Sequence, residues 1–126
     1  MRDYSKIIAW QKADDLTVAV YEVSRHFPKD ELYSLTSQLR RASYSVPANI
    51  VEGAARESKK DYLHFLHIAR GSLAEVRYFL HLAGRLGYLS VEQKAPLREQ
   101  TDETLRVLAG LIRSVRQETG APQSHG

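Results

Sequence analysis

The sequence predicts an all-α protein, an up-down-up-down antiparallel four-helix bundle. Four stretches carry apolar residues at alternating steps of three and four, which places those residues on one face of a helix. The connections between the stretches are short and contain Pro, Gly or helix-capping residues, and no stretch reads as a β-strand. Helices joined by short connections pack as antiparallel neighbours, so the four stretches form one bundle.

Length and composition fit one small domain. The chain has 126 residues, of which 43% are hydrophobic and 26% charged, an ordinary globular balance. It lacks cysteine, which excludes disulfides and thiolate chemistry and favours a reducing compartment. The N-terminal residues include Arg2, Asp3 and Lys6 and no apolar run typical of a signal peptide or a membrane span. We therefore expect a cytoplasmic protein without membrane contact, with a bundle over residues 1–118 and a disordered tail over 119–126.

Two prolines shape the first two predicted helices. The first helix covers residues 8–27 and ends at Pro28, because proline lacks the amide that continues a helix. The second runs from residue 31 to between 53 and 56, with Asp30 as its N-cap. Pro47 lies inside this pattern and predicts a kink, since it removes one backbone hydrogen bond. The two apolar faces consist of Trp10, Ala13, Leu16, Val20, Val23 and Phe27, and of Leu32, Leu35, Leu39, Ala42, Val46 and Ile50.

Capping residues bound the third and fourth helices. The third opens at Ser58, with an acidic residue at the capping-box spacing, and ends at Gly87 in a left-handed cap. Ser90 and Gln93 form a second capping box before the fourth helix, which extends to about residue 117. Pro96 either begins the main helix after a separate turn or kinks a longer helix. The two apolar faces consist of Tyr62, Leu66, Ala69, Leu73, Val76, Leu80 and Ala83, and of Leu97, Thr101, Leu105, Leu108, Ile112 and Val115.

A polar stripe follows the second helix, about a quarter turn from its apolar face. Its residue types have strict hydrogen-bond geometry and suit a buried network at a subunit interface, whereas the alternative is a solvated helix face. Trp10 is a second candidate for subunit contacts, because a large ring with an indole donor often anchors an interface. Its alternative place is the core at the end of the bundle. The polar stripe consists of Gln38, Arg41, Ser45, Asn49, Glu52 and Arg56.

A basic stripe follows the third helix on the side opposite its apolar face. The net charge of +3 is too small to indicate nucleic-acid binding by itself, so the prediction depends on how the charges are distributed over the surface. A row of cations along one helix can follow a phosphate backbone, and a ring of subunits would repeat it, whereas the alternative is a solvated outer face. The stripe consists of Lys60, His67, Arg70, Arg77, His81 and Arg85, with Tyr78 beside it, and the helical phase leaves open whether Arg40 and Lys59 extend it.

Gly71 and Ser72 place small residues in the middle of the third helix. Glycine there costs about 1 kcal/mol relative to alanine, so a compensating contact is expected. The favoured explanation is a close approach of helices, either within the bundle or between subunits, and a ligand pocket is the alternative.

Catalytic and metal-binding motifs are weak or missing in the sequence. Asp61 and His64 mimic one acid-x-x-His element of a di-metal bundle, but the second element that such a site requires does not occur. The chain has no phosphate-binding glycine loop and no nucleophile elbow. We therefore expect no metal, no cofactor and no enzymatic activity.

Three strings of the sequence resemble the four-helix-bundle proteins encoded in intervening sequences of bacterial 23S ribosomal RNA genes. They are IAWQKADDL, YSLTSQLRRASYSVPANIVEGAAR and YLHFLHIARGSLAEVRYFLHLAGRLGYL, and the resemblance spans about residues 5–117. The central string is specific and contains the polar stripe. This family is also similar to the accessory variability protein of diversity-generating retroelements, a basic bundle that associates with a reverse transcriptase and with nucleic acid.

The resemblance implies a homopentamer, since members of the family assemble as five-subunit rings, and it provides no catalytic residues. It also favours the subunit-interface interpretation of the polar stripe. The resulting hypothesis is a non-enzymatic oligomeric scaffold whose basic stripe contacts RNA or DNA. The alternative is a protein-interaction adaptor, for example for a reverse transcriptase, that does not touch nucleic acid itself.

Overall fold

The computed structural model describes residues 2–118, which form a four-helix bundle with no β-strand in that range. The main helices are α1 (Ile8–Ser24), α2 (Ser37–Ala54), α3 (Lys59–Arg85) and α4 (Val91–Gln117). Short helical turns at Tyr4–Lys6, Lys29–Glu31 and Leu32–Thr36 complete the chain. α1 and α3 each pack against both α2 and α4, which confirms the predicted fold class. The predicted disordered tail, residues 119–126, lies outside the described residues.

The core lies between the apolar faces of the four helices. All the residues predicted for the α3 face are buried, and burying a large apolar side chain stabilises a fold by about 1.5–3 kcal/mol. In α2, Leu32 differs from the prediction, since it lies in the turn before the helix and is 44% exposed. In α4, the buried Thr101 donates its hydroxyl to the Leu97 carbonyl at 2.7 Å, which satisfies this polar group inside the core.

The caps predicted for α3 are present. The hydroxyl of Ser58 accepts from the amide of Asp61 at 3.0 Å. At the other end, Gly87 adopts φ +81°, a left-handed conformation that favours glycine. The amide of Tyr88 then reaches back to the Ala83 carbonyl at 2.9 Å, which is the long hydrogen bond of a Schellman cap.

Both internal prolines lie within continuous helices. α2 runs through Pro47, and α4 runs through Pro96, so the longer of the two alternatives for α4 is the observed one. The predicted capping box holds the start of α4, since the Gln93 amide donates to the Ser90 hydroxyl at 3.1 Å and the Ser90 amide donates to the Gln93 side chain at 2.9 Å.

α1 ends earlier than predicted, at Ser24 instead of Phe27. The amides of His26 and Phe27 bond to carbonyls three residues back, at 3.3 and 3.2 Å, so the chain tightens into a turn. The residue before a proline avoids the helical conformation, which explains this early end before Pro28. Phe27 stays buried and packs against Tyr88, with ring centroids 5.7 Å apart.

The N-cap predicted at Asp30 is wrong. Asp30 lies inside a 3-10 turn, and the longer side chain of Glu31 accepts instead from the Leu35 amide at 3.3 Å. An irregular turn with π-type hydrogen bonds follows, in which Ser34 has φ −129° and ψ −107°. The regular helix α2 therefore begins only at Ser37.

A hydrogen bond joins the two connections at one end of the bundle. The Tyr88 hydroxyl, after α3, donates to the Glu31 carboxylate, before α2, at 2.6 Å. This bond lowers the pKa of the Glu31 carboxyl and raises the pKa of the Tyr88 phenol, because it favours the ionised acid and the protonated phenol. Within residues 2–118, every helix is too short or too polar to cross a membrane.

Candidate functional site

α3 presents two chemically different flanks to its neighbours. On one flank, Ser72 lies 2.9 Å from Ser45 of α2, hydroxyl to hydroxyl. On the other flank, the Arg77 guanidinium lies 3.3 Å from the Asp102 carboxylate of α4. The polar stripe and the basic stripe of the sequence lie along these two separate surfaces.

The polar stripe of α2 runs along the flank that α3 covers. Asn49 donates its amide to the Ser45 carbonyl at 2.8 Å and to the Ser45 hydroxyl at 3.0 Å. Glu52 and Arg56 form an ion pair of 2.7 Å one turn further along. A groove of about 300 Å³ between the helices is lined by Gln38, Arg41, Ala42, Ser45, Ser72 and Glu75. Ser45 and Asn49 are half-buried and the other members are exposed, so one chain buries this network only in part.

Trp10 belongs to α1, which packs against α2 on a different side from the polar stripe. α1 packs against the flank of α2 that carries Ser43, whose carbonyl accepts from the Thr17 hydroxyl at 3.0 Å. Trp10 lies about two helical turns before Thr17 and therefore faces the same way. Its half-buried ring packs against the core and contacts Tyr4 edge-on, with centroids 5.0 Å apart. The structure thus brings the six residues of the stripe together, but not Trp10.

The close approach of helices occurs at Gly53, not at Gly71 as expected. A Cβ atom on Gly53 would lie 2.9 Å from Cβ of Phe65 and 3.3 Å from the Tyr62 carbonyl oxygen, so α2 and α3 meet there. A Cβ atom on the exposed Gly71 meets nothing within 4 Å. The within-bundle explanation for Gly71 is therefore wrong, whereas an approach between subunits stays a prediction.

The basic stripe borders α4 at His67 and Arg77, so part of it lies nearer to that helix than the helical projection indicated. Arg77 pairs with Asp102 of α4, and Nε2 of His67 lies 3.3 Å from the Arg116 guanidinium. The projection averaged residues that are spread over slightly more than a quarter turn, and only the packing of α4 shows which edge they border. His67 is half-buried, and the exposed members are Lys60, Arg70, Arg77, His81 and Arg85.

α4 supplies a second row of cations that the sequence analysis missed. Arg98 shares the Asp102 carboxylate with Arg77, at 3.3 Å from its second oxygen. Successive cations of this row are three, four, seven or eight residues apart, a spacing that keeps them on one side of the helix. This spacing could have been read from the sequence. This row consists of Lys94, Arg98, Arg106, Arg113 and Arg116.

The antiparallel packing of α3 and α4 sets the two rows of cations beside each other. Arg77 meets Asp102 and Lys94 lies against Gly84, so the α3 row and the α4 row run side by side in opposite directions. Lys59 also belongs here, because its ammonium donates to the Arg116 carbonyl at 3.2 Å. Arg40 does not, since it contacts α1. We call the two rows the basic face: Lys59, Lys60, His67, Arg70, Arg77, His81 and Arg85 of α3 with Lys94, Arg98, Arg106, Arg113 and Arg116 of α4.

His67 lies between two guanidinium groups. Its Nδ1 is 3.0 Å from Arg70 Nη2, and its Nε2 is 3.3 Å from Arg116 Nη2. Burial and then the charges of Arg70 and Arg116 hold the pKa of His67 below its ordinary value of 6.5. A neutral imidazole accepts at only one ring nitrogen, so it satisfies one guanidinium donor and leaves the other free for an anion.

The comparison with known protein families decides where this chain belongs. The sequence model of the family described as 23S rRNA-intervening sequence protein matches residues 5–110, most of the chain. The chain belongs to the 23S rRNA-intervening sequence protein family. The match includes the polar stripe and the α3 row of the basic face, and it ends before Arg113 and Arg116.

A solved structure from a related family shares the fold of this 23S rRNA-intervening sequence protein. It is a protein of unknown function from the S23 ribosomal protein family of Bacteroides thetaiotaomicron, and it superposes with a TM-score of 0.78. The two chains are 23% identical over 84% of this chain and 96% of that chain, a level at which the likeness shows the fold alone. A search of curated proteins finds no match.

The histidines that suggested a metal element do not form one in this family member. Across residues 2–118, no three His, Asp or Glu side chains come together in an arrangement that could hold a metal ion. The ring of His64 packs edge-on against Phe65, with centroids 5.2 Å apart, while His67 turns toward the arginines.

Proposed function

We propose that this 23S rRNA-intervening sequence protein is a non-enzymatic oligomeric scaffold that associates with nucleic acid through its basic face. The observation that supports the proposal is the convergence of two rows of cations, one from α3 and one from α4, along a single surface. Asp102 is the carboxylate that pairs with cations of this face, at Arg77 and Arg98. Uncompensated positive charge costs free energy through self-repulsion, and phosphates offset that cost.

The shape of the basic face favours contact with a phosphate backbone over contact with unstacked bases. α3 and α4 each contain 27 residues, so the face extends for about 40 Å. Proteins that hold single strands interleave aromatic rings with their cations, and α4 contains no aromatic residue. The 56% exposed Tyr78 lies at the edge, beside His81. A duplex or a structured RNA is therefore the ligand that this face fits.

The α2–α3 surface is the proposed site of subunit contacts. Its polar stripe is only half-buried in one chain, and the open space over Gly71 would let another helix approach closely. The half-buried Phe65 and the 39% exposed Ile68 lie on the same side and add apolar area. The family resemblance supports five subunits, and such a ring would repeat the basic face and raise its local field.

A salt titration tests the nucleic-acid proposal directly. Binding of a labelled RNA hairpin and a DNA duplex is measured by anisotropy at several salt concentrations, together with the mass of the protein from light scattering. A contact with about six or more phosphates weakens by about 1,000-fold or more between 50 and 200 mM salt. A mass near five chains, together with an affinity that falls this steeply with salt, supports the scaffold. The absence of binding at low salt refutes it.

The alternative proposal is a protein-interaction adaptor, for example for a reverse transcriptase. It is supported by apolar side chains exposed along α1 and α2, where Val18 is 53%, Tyr21 37% and Tyr44 49% exposed. Such a surface fits a partner protein, and an apolar contact responds little to salt. Two results together would favour the adaptor: a partner protein that binds with an affinity independent of salt, and no binding of nucleic acid by the chain.

A further inference from the structure

The outward side of α1 forms a surface that no other part of residues 2–118 covers. Its central residue is Val18, and the others lie three or four positions away from it, so they surround it on the helix. All of them are exposed, whereas the opposite side of the helix packs into the core. We call this surface the α1 face: Asp14, Asp15, Val18, Tyr21 and Glu22.

The centre of the α1 face is apolar. Val18 is 53% exposed and Tyr21 is 37% exposed, and Tyr44 of the adjoining α2 adds a side chain that is 49% exposed. Surfaces that bind another protein combine such an apolar centre with a polar rim, and tyrosine is among the residues that contribute most to binding there. The α1 face therefore has the composition of a docking surface.

The rim of the α1 face is negatively charged. Asp14, Asp15 and Glu22 each lie one turn from Val18, and none of the three carboxylates forms an ion pair within residues 2–118. An acidic rim repels acidic partners and attracts basic ones. The partner that fits this face therefore presents positive charge around an apolar contact.

The cations near the α1 face are not directed to its carboxylates. Lys12, on the side of α1 toward α4, pairs with Glu103 at 3.1 Å. Arg40 of α2 stacks on the Tyr21 ring, with its guanidinium carbon 4.7 Å from the centroid. Arg25, at the end of the helix, forms no ion pair within the described range. The acids of the face therefore stay available to another molecule.

The basic face has the complementary pattern. Its cations come from both α3 and α4, and Asp102 is the carboxylate that pairs with them. It also contains apolar contact area, since Tyr78 is 56% exposed and Ala74, one turn earlier, is exposed as well. Opposite charges around an apolar contact on each side make the two faces complementary.

The two faces of a single chain cannot meet. α1 packs against α2 and α4, so α3 lies diagonally across the bundle, and the α1 face points away from it. We propose that the α1 face of one copy of this chain docks on the basic face of a second copy. Since different surfaces of the two copies meet, the contact is head-to-tail, and each docked pair keeps one free face of each kind.

Docking and nucleic acid occupy the same cations, so each excludes the other. Chains at high concentration cover each other's basic faces, and a nucleic acid, which carries more negative charge than the α1 face, displaces the docked copy. This competition rests on the proposed function, whereas the docking itself does not. The contact is also separate from the proposed α2–α3 subunit surface, which uses the other flank of α3.

Crosslinking tests the contact, because the chain has no cysteine and a single introduced thiol reports its own neighbours. Val18→Cys and Ala74→Cys both change exposed positions, one on each face. Mixed at low salt with a bismaleimide linker, the two variants should form a crosslinked pair. Ser114→Cys, exposed outside both faces, should give no such pair with Ala74→Cys. Crosslinking of Val18→Cys with itself as readily as with Ala74→Cys would overturn the proposal, since the α1 faces would then meet each other.

Charge variants in the same assay test the complementarity. Asp14→Lys with Glu22→Lys, added to the Val18→Cys chain, should lower the crosslinked yield about tenfold or more, because the rim then repels the basic face. Asp30→Lys with Glu57→Lys makes the same change of charge at exposed positions outside the α1 face and should preserve the yield. Equal yields with the two sets of substitutions would contradict the docking.

Addition of a DNA duplex separates this inference from the proposed function. A crosslink that the duplex suppresses supports both. A crosslink that persists in the presence of the duplex supports the docking and contradicts nucleic-acid binding at the basic face. Absence of the crosslink, together with salt-dependent binding of the duplex, overturns the docking alone and leaves the α1 face to a foreign partner protein, as in the adaptor.

Discussion

The two flanks of α3 differ in kind, although they belong to one continuous helix. Toward α2, hydroxyl and amide groups bond to each other, and the backbones meet closely at Gly53. Toward α4, arginines from both helices gather around one carboxylate, Asp102. The first flank is balanced within the chain, whereas the second keeps charge that another molecule can offset. The comparison shows that hydrogen-bonded packing and clustered positive charge lie on separate flanks of the same helix.

The largest effect is expected from reversing charges on the α4 flank. Arg70→Glu with Arg113→Glu reverses one cation in each row of the basic face. Nucleic-acid affinity at low salt should fall by about 100-fold or more, and the salt slope should shrink by at least about 2, because two phosphate contacts are lost. Anisotropy titrations over a range of salt measure both quantities.

The control for this variant carries the same charge change elsewhere. Lys6→Glu with Arg25→Glu alters exposed cations of the N-terminal turn and of the end of α1, outside the basic face. If this control loses as much affinity as the basic-face variant, net charge governs binding and the face has no special role.

The α2 flank should respond to added volume. Gly53→Ala places a methyl group 2.9 Å from Cβ of Phe65, and we expect the free energy of unfolding to fall by about 1–3 kcal/mol. Gly71→Ala is the matched change in open space, and it should stabilise a single chain by up to about 1 kcal/mol. Urea unfolding measures both, and equal effects at the two positions would contradict the close approach at Gly53.

The polar stripe should matter more in an assembly than in one chain. Asn49→Ala leaves a partner group unsatisfied if a second subunit covers it, and should weaken the assembly by about 1–3 kcal/mol. Glu52→Ala removes an exposed ion pair, which in a single chain is worth only about 0.3–0.5 kcal/mol. Dissociation of the assembly on dilution is the measurement. A double variant that assembles with unchanged stability removes the stripe from the interface.

The smallest effect concerns pH and His67. Because the folded state holds the pKa of His67 below 6.5, the unfolded chain takes up the proton first as the pH falls. Stability should therefore decline as the pH drops from 6.5 toward the folded pKa. Bound phosphate favours the protonated ring, so nucleic-acid binding should strengthen over the same range.

Two histidine variants isolate this effect. His67→Asn should remove much of the pH dependence of unfolding by urea and of nucleic-acid binding, whereas His26→Asn, outside the basic face, should preserve it. An unchanged pH profile in His67→Asn would show that other groups cause it.

The family membership and the fold were accessible from the sequence because their signals are local. The period of apolar residues placed all of the α3 core face, and the capping residues at Ser58, Gly87 and Ser90 marked real helix ends. Helical phase also grouped the polar stripe correctly on one flank of α2. Each of these features depends on hydrogen bonds and side-chain directions within about two turns of one helix.

Only the tertiary structure decided what each flank faces. Phase gives the direction of a side chain but not the neighbour it meets, so the pairing of His67 with Arg116 and the register of the two basic rows required α4 in place. The same holds for the close approach at Gly53. These features arise where separate helices exclude water from each other, and that exclusion is a property of packing that no single helix carries.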